Sequence, residues 1–184
     1  SNNQLTSLDH GEVTLSSASP LQFGTAEGEA KDLGVNRVTV RTTGTHLQMA
    51  GIEGRGYHDS AKFYFRAPSI TITSLTRGKN SPSYVDLVRL ENAGGKLRLS
   101  LRLSLDQYLR GVLEAEMPAS YHPEALKCQA LAARTYALKP RISHEKDHAN
   151  VCDSYLCCQY FAGSPRALDP RIEAAVSNTA SQVL

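Results

Sequence analysis

The apolar residues of this chain change their spacing near residue 103, and this change constrains the fold more than any other feature. Before that point they alternate with polar residues, as at Val38 and Val40 or Ile70 and Ile72. A period of two is typical of half-buried β-strands. After residue 103 they recur every three or four positions, which is typical of amphipathic helices. The sequence therefore predicts an α+β protein, with a β-rich N-terminal half that contains hairpins and a helical half behind it.

A hairpin is the clearest prediction within the first half. Two leucine-rich segments, at 87–90 and 97–103, flank the turn sequence Asn92-Ala93-Gly94-Gly95. Such a turn between alternating segments joins two antiparallel strands. We expect the leucine side of this hairpin to face a core.

Two helices are predicted directly after the β-rich half. Ser104 is followed three residues later by Gln107, which is the pattern of a capping box, and the helix it opens should end near Pro118. A second helix is expected to begin at Pro123, because proline is favoured at the first helical position. The alanines of that helix share one face, which lets another element approach closely: Ala130, Ala133 and Ala137.

A third helix is signalled near the end of the chain, where Asp169 is a good N-cap and Pro170 follows it. Between the second and third helices lies a polar loop that carries cysteines.

Charge and hydropathy exclude two classes of protein. The net charge is +2, and the basic residues are scattered among acidic ones instead of forming a stripe, so no nucleic-acid partner is expected. No run approaches the roughly 20 apolar residues of a membrane helix, so we predict no transmembrane segment in this chain. A membrane anchor would lie outside it, and Ser1-Asn2 resembles a cleavage scar.

Three of the four cysteines, namely Cys152, Cys157 and Cys158, fall within seven consecutive positions. In an oxidising compartment such a cluster can form a local disulfide, and with a nearby histidine it can bind zinc. The spacing fits either interpretation.

Two histidines precede the cysteines in the string His144-Glu145-Lys146-Asp147-His148, which matches the metalloprotease pattern H-E-x-x-H. That motif needs a mostly apolar helix, whereas Lys and Asp fill the middle of this string. A protease is therefore not expected. We instead predict one histidine as a metal ligand beside the cysteines, and choose His148 because it lies four residues before Cys152.

Glu114 and Glu116 stand just before Met117-Pro118, at the end of the first predicted helix. The helix dipole favours cations there, so a carboxylate at this place invites a functional explanation. A glutamate in a partly apolar cleft can donate a proton near neutral pH. The alternative is that both are solvated surface residues.

Several long motifs follow one another in the second half of the chain. They are YLRGVLEAEMPA at 108–119, PEALKCQALAARTYA at 123–137, VCD at 151–153, CQYFAG at 158–163, and the helix with Ala174, Ala175, Val176 and Thr179. In this order they resemble the stage II sporulation protein D (SpoIID)/LytB amidase-enhancer family. The similarity covers about residues 85–184, so we expect a β-rich region at 1–84 and a SpoIID-like domain at 85–184. The family continues into a further Ser-Ser-Gly-Gly segment, so this domain is expected to be truncated at its C-terminus.

The resemblance implies a lytic transglycosylase of the bacterial cell envelope, periplasmic or otherwise extracytoplasmic, that cleaves peptidoglycan glycan strands lacking stem peptides. The family's catalytic glutamate maps onto Glu116, as general acid and base. The resemblance also implies a zinc ion held by Cys152 and Cys158 with a histidine from the preceding loop, for which we choose His148. Asp153 and Cys157 are alternative ligands. Substrate contacts are expected from the helix and loop facing the site, at Arg134, Tyr136 and Gln159.

A second function is implied by the other branch of the same family. In this alternative the chain is a non-catalytic module that binds glycan and stimulates a partner cell-wall amidase. Digestion of glycan strands separates the two, because only the enzyme produces 1,6-anhydro ends.

Overall fold

The computed structural model describes residues 9–50, 52, 59–74, 83–139, 142–161, 163–164 and 168–184. The chain separates into two compact units, residues 1–102 and 103–184. The described strands lie in the first unit and the described α-helices in the second, which confirms the predicted α+β class. The division predicted between residues 84 and 85 concerned the extent of the family domain, and it stays a prediction.

The first unit contains one antiparallel sheet, in which ten strands are described. The strands are β1 (Asp9–His10), β2 (Glu12–Ser16), β3 (Gln22–Gly24), β4 (Lys31–Asp32), β5 (Arg37–Thr43), β6 (His46–Ala50), β7 (Asp59–Ser60), β8 (Lys62–Ile72), β9 (Ser83–Ala93) and β10 (Lys96–Arg102). Their order in the sheet is β1-β10-β9-β8-β2-β5-β6-β7, and β3 pairs with both β8 and β4.

The predicted hairpin is confirmed as β9 and β10, with Leu90 paired to Leu99. Its turn is tighter than the four-residue segment suggested, because Asn92 and Ala93 belong to the ladder. Gly94 and Gly95 make the turn alone, at φ 65° and 83°. A two-residue hairpin turn of the favoured hand needs positive φ at both central positions, which glycine adopts without steric cost.

The core of the sheet unit is built from alternating side chains. Phe63 and Phe65 on β8 are fully buried and meet Phe23 of β3, with ring centroids of Phe23 and Phe63 5.4 Å apart in an edge-to-face arrangement. Val38 and Val40 on β5 are also buried. The period-two pattern therefore placed the core face of these strands correctly.

Three α-helices are described in the second unit: α1 (Leu105–Glu116), α2 (Pro123–Leu138) and α3 (Pro170–Asn178). The predicted capping box is present, since the Ser104 hydroxyl accepts from the Gln107 amide and the Gln107 side chain accepts from the Ser104 amide. Asp169 caps α3 as predicted. Pro140, the predicted stop signal of the second helix, lies outside the described residues.

The three helices pack on one another around small and aliphatic side chains. Ala130 and Ala133 of α2 are fully buried, as are Leu109 of α1 and Val176 of α3. Within the described residues, no helix is long and apolar enough to cross a membrane.

Candidate functional site

Glu116 is the last residue of α1, and its side chain is exposed. Its Oε1 atom accepts a hydrogen bond of 2.6 Å from the backbone amide of Tyr160. No further hydrogen bond to this carboxylate is formed by the residues that the structure describes. One oxygen is thus anchored, and the side chain is exposed.

The loop that provides this amide packs against α1 through aromatic rings. Tyr108 and Phe161 are stacked, with centroids 5.7 Å apart and ring planes 21° from parallel. The Tyr108 hydroxyl also donates to Oε1 of Gln159 at 3.1 Å. Three successive loop residues, Gln159, Tyr160 and Phe161, are therefore fixed against one helix.

Gly111 makes this close packing possible. A Cβ atom at this position would lie 2.3 Å from a Phe161 ring carbon and 2.6 Å from the carbonyl oxygen of Gly163. No real side chain tolerates such distances, so the loop can approach α1 only where the helix lacks a side chain. Gly111 thereby sets the distance between α1 and the loop segment that contacts Glu116.

A second group of side chains lies in the part of the loop just before Gln159 and in the short helix that precedes it. The ligand atoms of His144, Cys152, Cys157 and Cys158 all fall within 4.8 Å of one another. Nε2 of His144 is 3.3 Å from the sulfur atoms of both Cys157 and Cys158. None of the four cysteines of the chain is in a disulfide, and Cys128 stands apart on α2.

His144 is positioned by a short 3₁₀ helix, Ile142–Asp147, and is only 4% exposed. Its Nδ1 atom faces the Asp147 carboxylate at 3.3 Å. A 3₁₀ helix has three residues per turn, so residues i and i+3 lie one above the other. A carboxylate behind a ring nitrogen fixes the tautomer that leaves the opposite nitrogen free to bind a metal.

The pKa values of the Cys152 and Cys158 thiols are shifted in opposite directions. Burial, together with the facing Cys158, raises the pKa of Cys152 to about 12. Burial also opposes ionisation of Cys158, but hydrogen bonds from the Cys152 backbone and the Tyr136 side chain lower its pKa. Of these two cysteines, Cys158 is therefore the one that loses its proton more readily.

The donor set of this group fits a metal ion. Three thiols and one imidazole are the ligands of closed four-coordinate zinc sites, and their mutual distances allow them to converge on one ion. The structure therefore has a His/Cys3 cluster that can hold a metal.

The predicted ligands are brought together only in part. Cys152 and Cys158 are members of the cluster, whereas the third predicted ligand, His148, is not. His148 is exposed and has φ 52°, one residue beyond the 3₁₀ helix. His144 takes its place, and the spacing of His144 and Asp147 was the signal that could have found it.

Of the predicted substrate contacts, Tyr136 and Gln159 lie next to the site. The Tyr136 hydroxyl donates to the carbonyl oxygen of Cys157 at 3.1 Å, which ties α2 to the cysteine loop. Gln159 is held by Tyr108 and lies one residue before Tyr160. Both residues are half-buried.

Arg134 has a different environment from the one expected of a sugar contact. Its side chain is 2% exposed, and its guanidinium donates to the carbonyl oxygens of Val176, Thr179 and Gln182. These carbonyls lie at the C-terminal end of α3 and just beyond it, where the helix leaves acceptors unsatisfied. Arg134 therefore joins α2 to α3.

Glu114 is exposed and points away from Glu116, because residues two apart on a helix point in different directions. Desolvation of part of its side chain, together with the negative charge of Asp169, raises the pKa of Glu114 above its ordinary value.

Comparison with known proteins identifies the family of the second half of the chain. The sequence model of the family "SpoIID: Stage II sporulation protein" matches residues 93–184, half of the chain. Stage II sporulation protein D of Bacillus subtilis (strain 168) is 39% identical over 66 residues, and that of Bacillus amyloliquefaciens is 38% identical over 66 residues. These matches cover 36% of this chain and 18% of each relative, so the chain spans less than a fifth of the relatives' length in the aligned region. The family match includes α1, α2, the cysteine loop and α3, and on this evidence the chain belongs to the stage II sporulation protein (SpoIID) family.

Proposed function

We propose that this chain is a lytic transglycosylase that cleaves peptidoglycan glycan strands lacking stem peptides, with Glu116 as its general acid and base. The observation that carries the proposal is the hydrogen bond from the Tyr160 amide to Glu116 Oε1. It orients an exposed carboxyl group through one of its two oxygens. A positioned acid of this kind contributes about 10²–10⁴-fold to a reaction rate.

One carboxyl group suffices for this reaction because the substrate supplies its own nucleophile. Glu116 donates its proton to the glycosidic oxygen as the bond from that oxygen to C1 of the muramoyl residue breaks. The resulting carboxylate then takes the proton of the C6 hydroxyl, whose oxygen closes on C1. The product is a 1,6-anhydro sugar, Glu116 regains its proton, and no water is consumed. Ordinary glycosidases need a second carboxylate to activate water or to attack C1.

The metal of the His/Cys3 cluster is proposed to be zinc, held by His144, Cys152, Cys157 and Cys158. With four protein ligands it would have a structural role, since catalytic zinc sites keep one position open. When bound, it would cross-link the loop and the 3₁₀ helix. Fixing Cys158 in this way would also fix Tyr160, two positions further on, whose amide donates to the Glu116 carboxylate.

The proposed substrate places the protein in the cell envelope, outside the cytoplasm, where peptidoglycan lies. The same location would bring it into contact with cell-wall amidases, which create glycan strands without stem peptides.

The test is digestion of purified glycan strands, with and without stem peptides, by the wild type and by Glu116→Gln. Glutamine retains an oxygen that can accept from the Tyr160 amide, so the loop should stay in place while the transferable proton is lost. Glu114→Gln is the matched control. We expect 1,6-anhydro products from the wild type and Glu114→Gln, and none from Glu116→Gln.

Full activity of Glu116→Gln would remove Glu116 from the mechanism. An absence of products from the wild type, together with stimulation of an added amidase, would favour the non-catalytic enhancer.

A further inference from the structure

A pair of tyrosines lies on the cysteine loop beside Glu116. The rings of Tyr155 and Tyr160 meet edge to face, with centroids 6.4 Å apart and planes at 86°. Tyr155 is 59% exposed and the adjacent Leu156 is 63% exposed. Large apolar side chains left in water on a structured loop are typical of recognition sites.

The loop presents Tyr155 from a turn that is tied down on several sides. The amides of Cys157 and Cys158 both donate to the carbonyl oxygen of Ser154, at 3.2 and 2.7 Å. The Tyr136 hydroxyl holds the Cys157 carbonyl from α2. The exposed ring is therefore preorganised, and a ligand that packs on it orders little additional chain.

The second tyrosine connects this surface to the carboxylate. Tyr160 carries the ring that contacts Tyr155 and the amide that donates to Glu116. One residue, Tyr160, therefore links the aromatic pair to the proposed acid. A sugar ring that packs on the pair would belong to the strand on which Glu116 acts.

The size and chemistry of the surface match one sugar ring. A stable protein interface buries about 800 Å² per partner, whereas a single tyrosine buries at most about 150–250 Å². The C–H face of a pyranose packs on an aromatic ring, while its hydroxyl and amide groups need polar neighbours such as the Gln159 amide. We propose that Tyr155 and Tyr160 form a stacking subsite for an N-acetylhexosamine residue of the glycan strand. This inference rests on the proposed function, because it names a subsite of the same cleft.

The experiment measures binding of purified stem-peptide-free glycan strands by calorimetry, in the Glu116→Gln background so that the strand stays intact. Tyr155→Ala should weaken binding by roughly tenfold, which equals about 1.4 kcal/mol. Tyr155→Phe keeps the ring and should bind within about twofold of its parent. Leu156→Ala is the matched control, since it removes an equally exposed apolar side chain that has no ring. Metal content and melting curves of all variants establish that the loop is intact.

Unchanged binding by Tyr155→Ala would overturn the subsite, and so would an equal loss from Leu156→Ala, which would indicate general apolar contact. The outcome is separate from the test of chemistry. Loss of binding in Tyr155→Ala with no anhydro products from the wild type would support the subsite and overturn the transglycosylase. Anhydro products with unchanged binding would overturn the subsite alone.

Discussion

The carboxylate of Glu116 accepts a hydrogen bond from the backbone amide of Tyr160, 44 residues further along the chain. This contact joins the end of α1 to the loop that also carries the His/Cys3 cluster and the exposed Tyr155. The proposed acid, the proposed metal and the proposed sugar subsite are therefore parts of one loop packed on one helix.

Gly111→Ala should break this packing. The new methyl group would meet the Phe161 ring and the Gly163 carbonyl, and overpacking of this kind costs about 1–3 kcal/mol of unfolding free energy. Thermal melting and product formation should both decline, because the loop shifts away from Glu116.

Gly11→Ala is the matched control for Gly111→Ala, since a Cβ atom there meets nothing within 4 Å. Equal melting temperatures of Gly111→Ala and the wild type would contradict the close approach.

The two histidines of the cluster region should differ in their effect on metal binding. His144→Ala removes the buried imidazole that faces Cys157 and Cys158, so the bound zinc should drop from about one ion per chain to well below one. His148→Ala should retain the metal. Elemental analysis of protein purified without chelator or added metal measures both, and the reverse result would restore His148 as the ligand.

A similar contrast applies to the cysteines. Cys157→Ser should weaken metal binding, whereas Cys128→Ser on α2 should not. If Cys157→Ser keeps a full complement of tightly bound zinc, the fourth ligand is another group.

Arg134→Met should destabilise the protein by about 3–5 kcal/mol. It removes the guanidinium donor from the buried carbonyl oxygens of Val176 and Thr179, which keep only the Thr179 hydroxyl and the Gln182 amide. Hydrogen bonds to charged groups are worth about 1.5–3 kcal/mol each. Arg41→Met, which breaks an exposed ion pair with Glu12, should cost at most about 1 kcal/mol. Urea unfolding measures both. A stable Arg134→Met protein with weakened glycan binding would instead support the sugar contact.

Glu114 should make stability fall with rising pH. Its folded-state pKa is raised, so the folded protein binds more protons than the unfolded chain as the pH rises from about 4.5 through that pKa. Stability is then lost over this interval and stays lower above it. Glu114→Gln has no carboxyl group to titrate at this position. Its melting temperature, relative to that of the wild type, should therefore increase between pH 4 and pH 7. A constant difference across this range would contradict the shift.

Much of the fold was predictable because its signals are local. The capping box at Ser104, the proline at 123 and the Asp169 cap each act within one helical turn, and all three helix starts were confirmed. The paired glycines at 94 and 95 likewise specify a hairpin by their own backbone freedom. The extent of the strands was less predictable, because the alternation at Ile70 and Ile72 belongs to one long strand, β8, with a register irregularity between Ala67 and Ile70.

The sequence alone predicts the class of the protein, through the change of period near residue 103, the family motifs and the residue types of the site. The tertiary structure brings some of those residues together and separates others. His144 replaced His148 because the chain forms a 3₁₀ helix there, and Arg134 joins two helices because α3 ends against α2. Arg134 donates to carbonyl groups 42 to 48 residues away, and the sulfur atoms that face His144 lie 13 and 14 residues away. Packing sets the path of the chain between such partners, so local helix signals do not predict which residues meet.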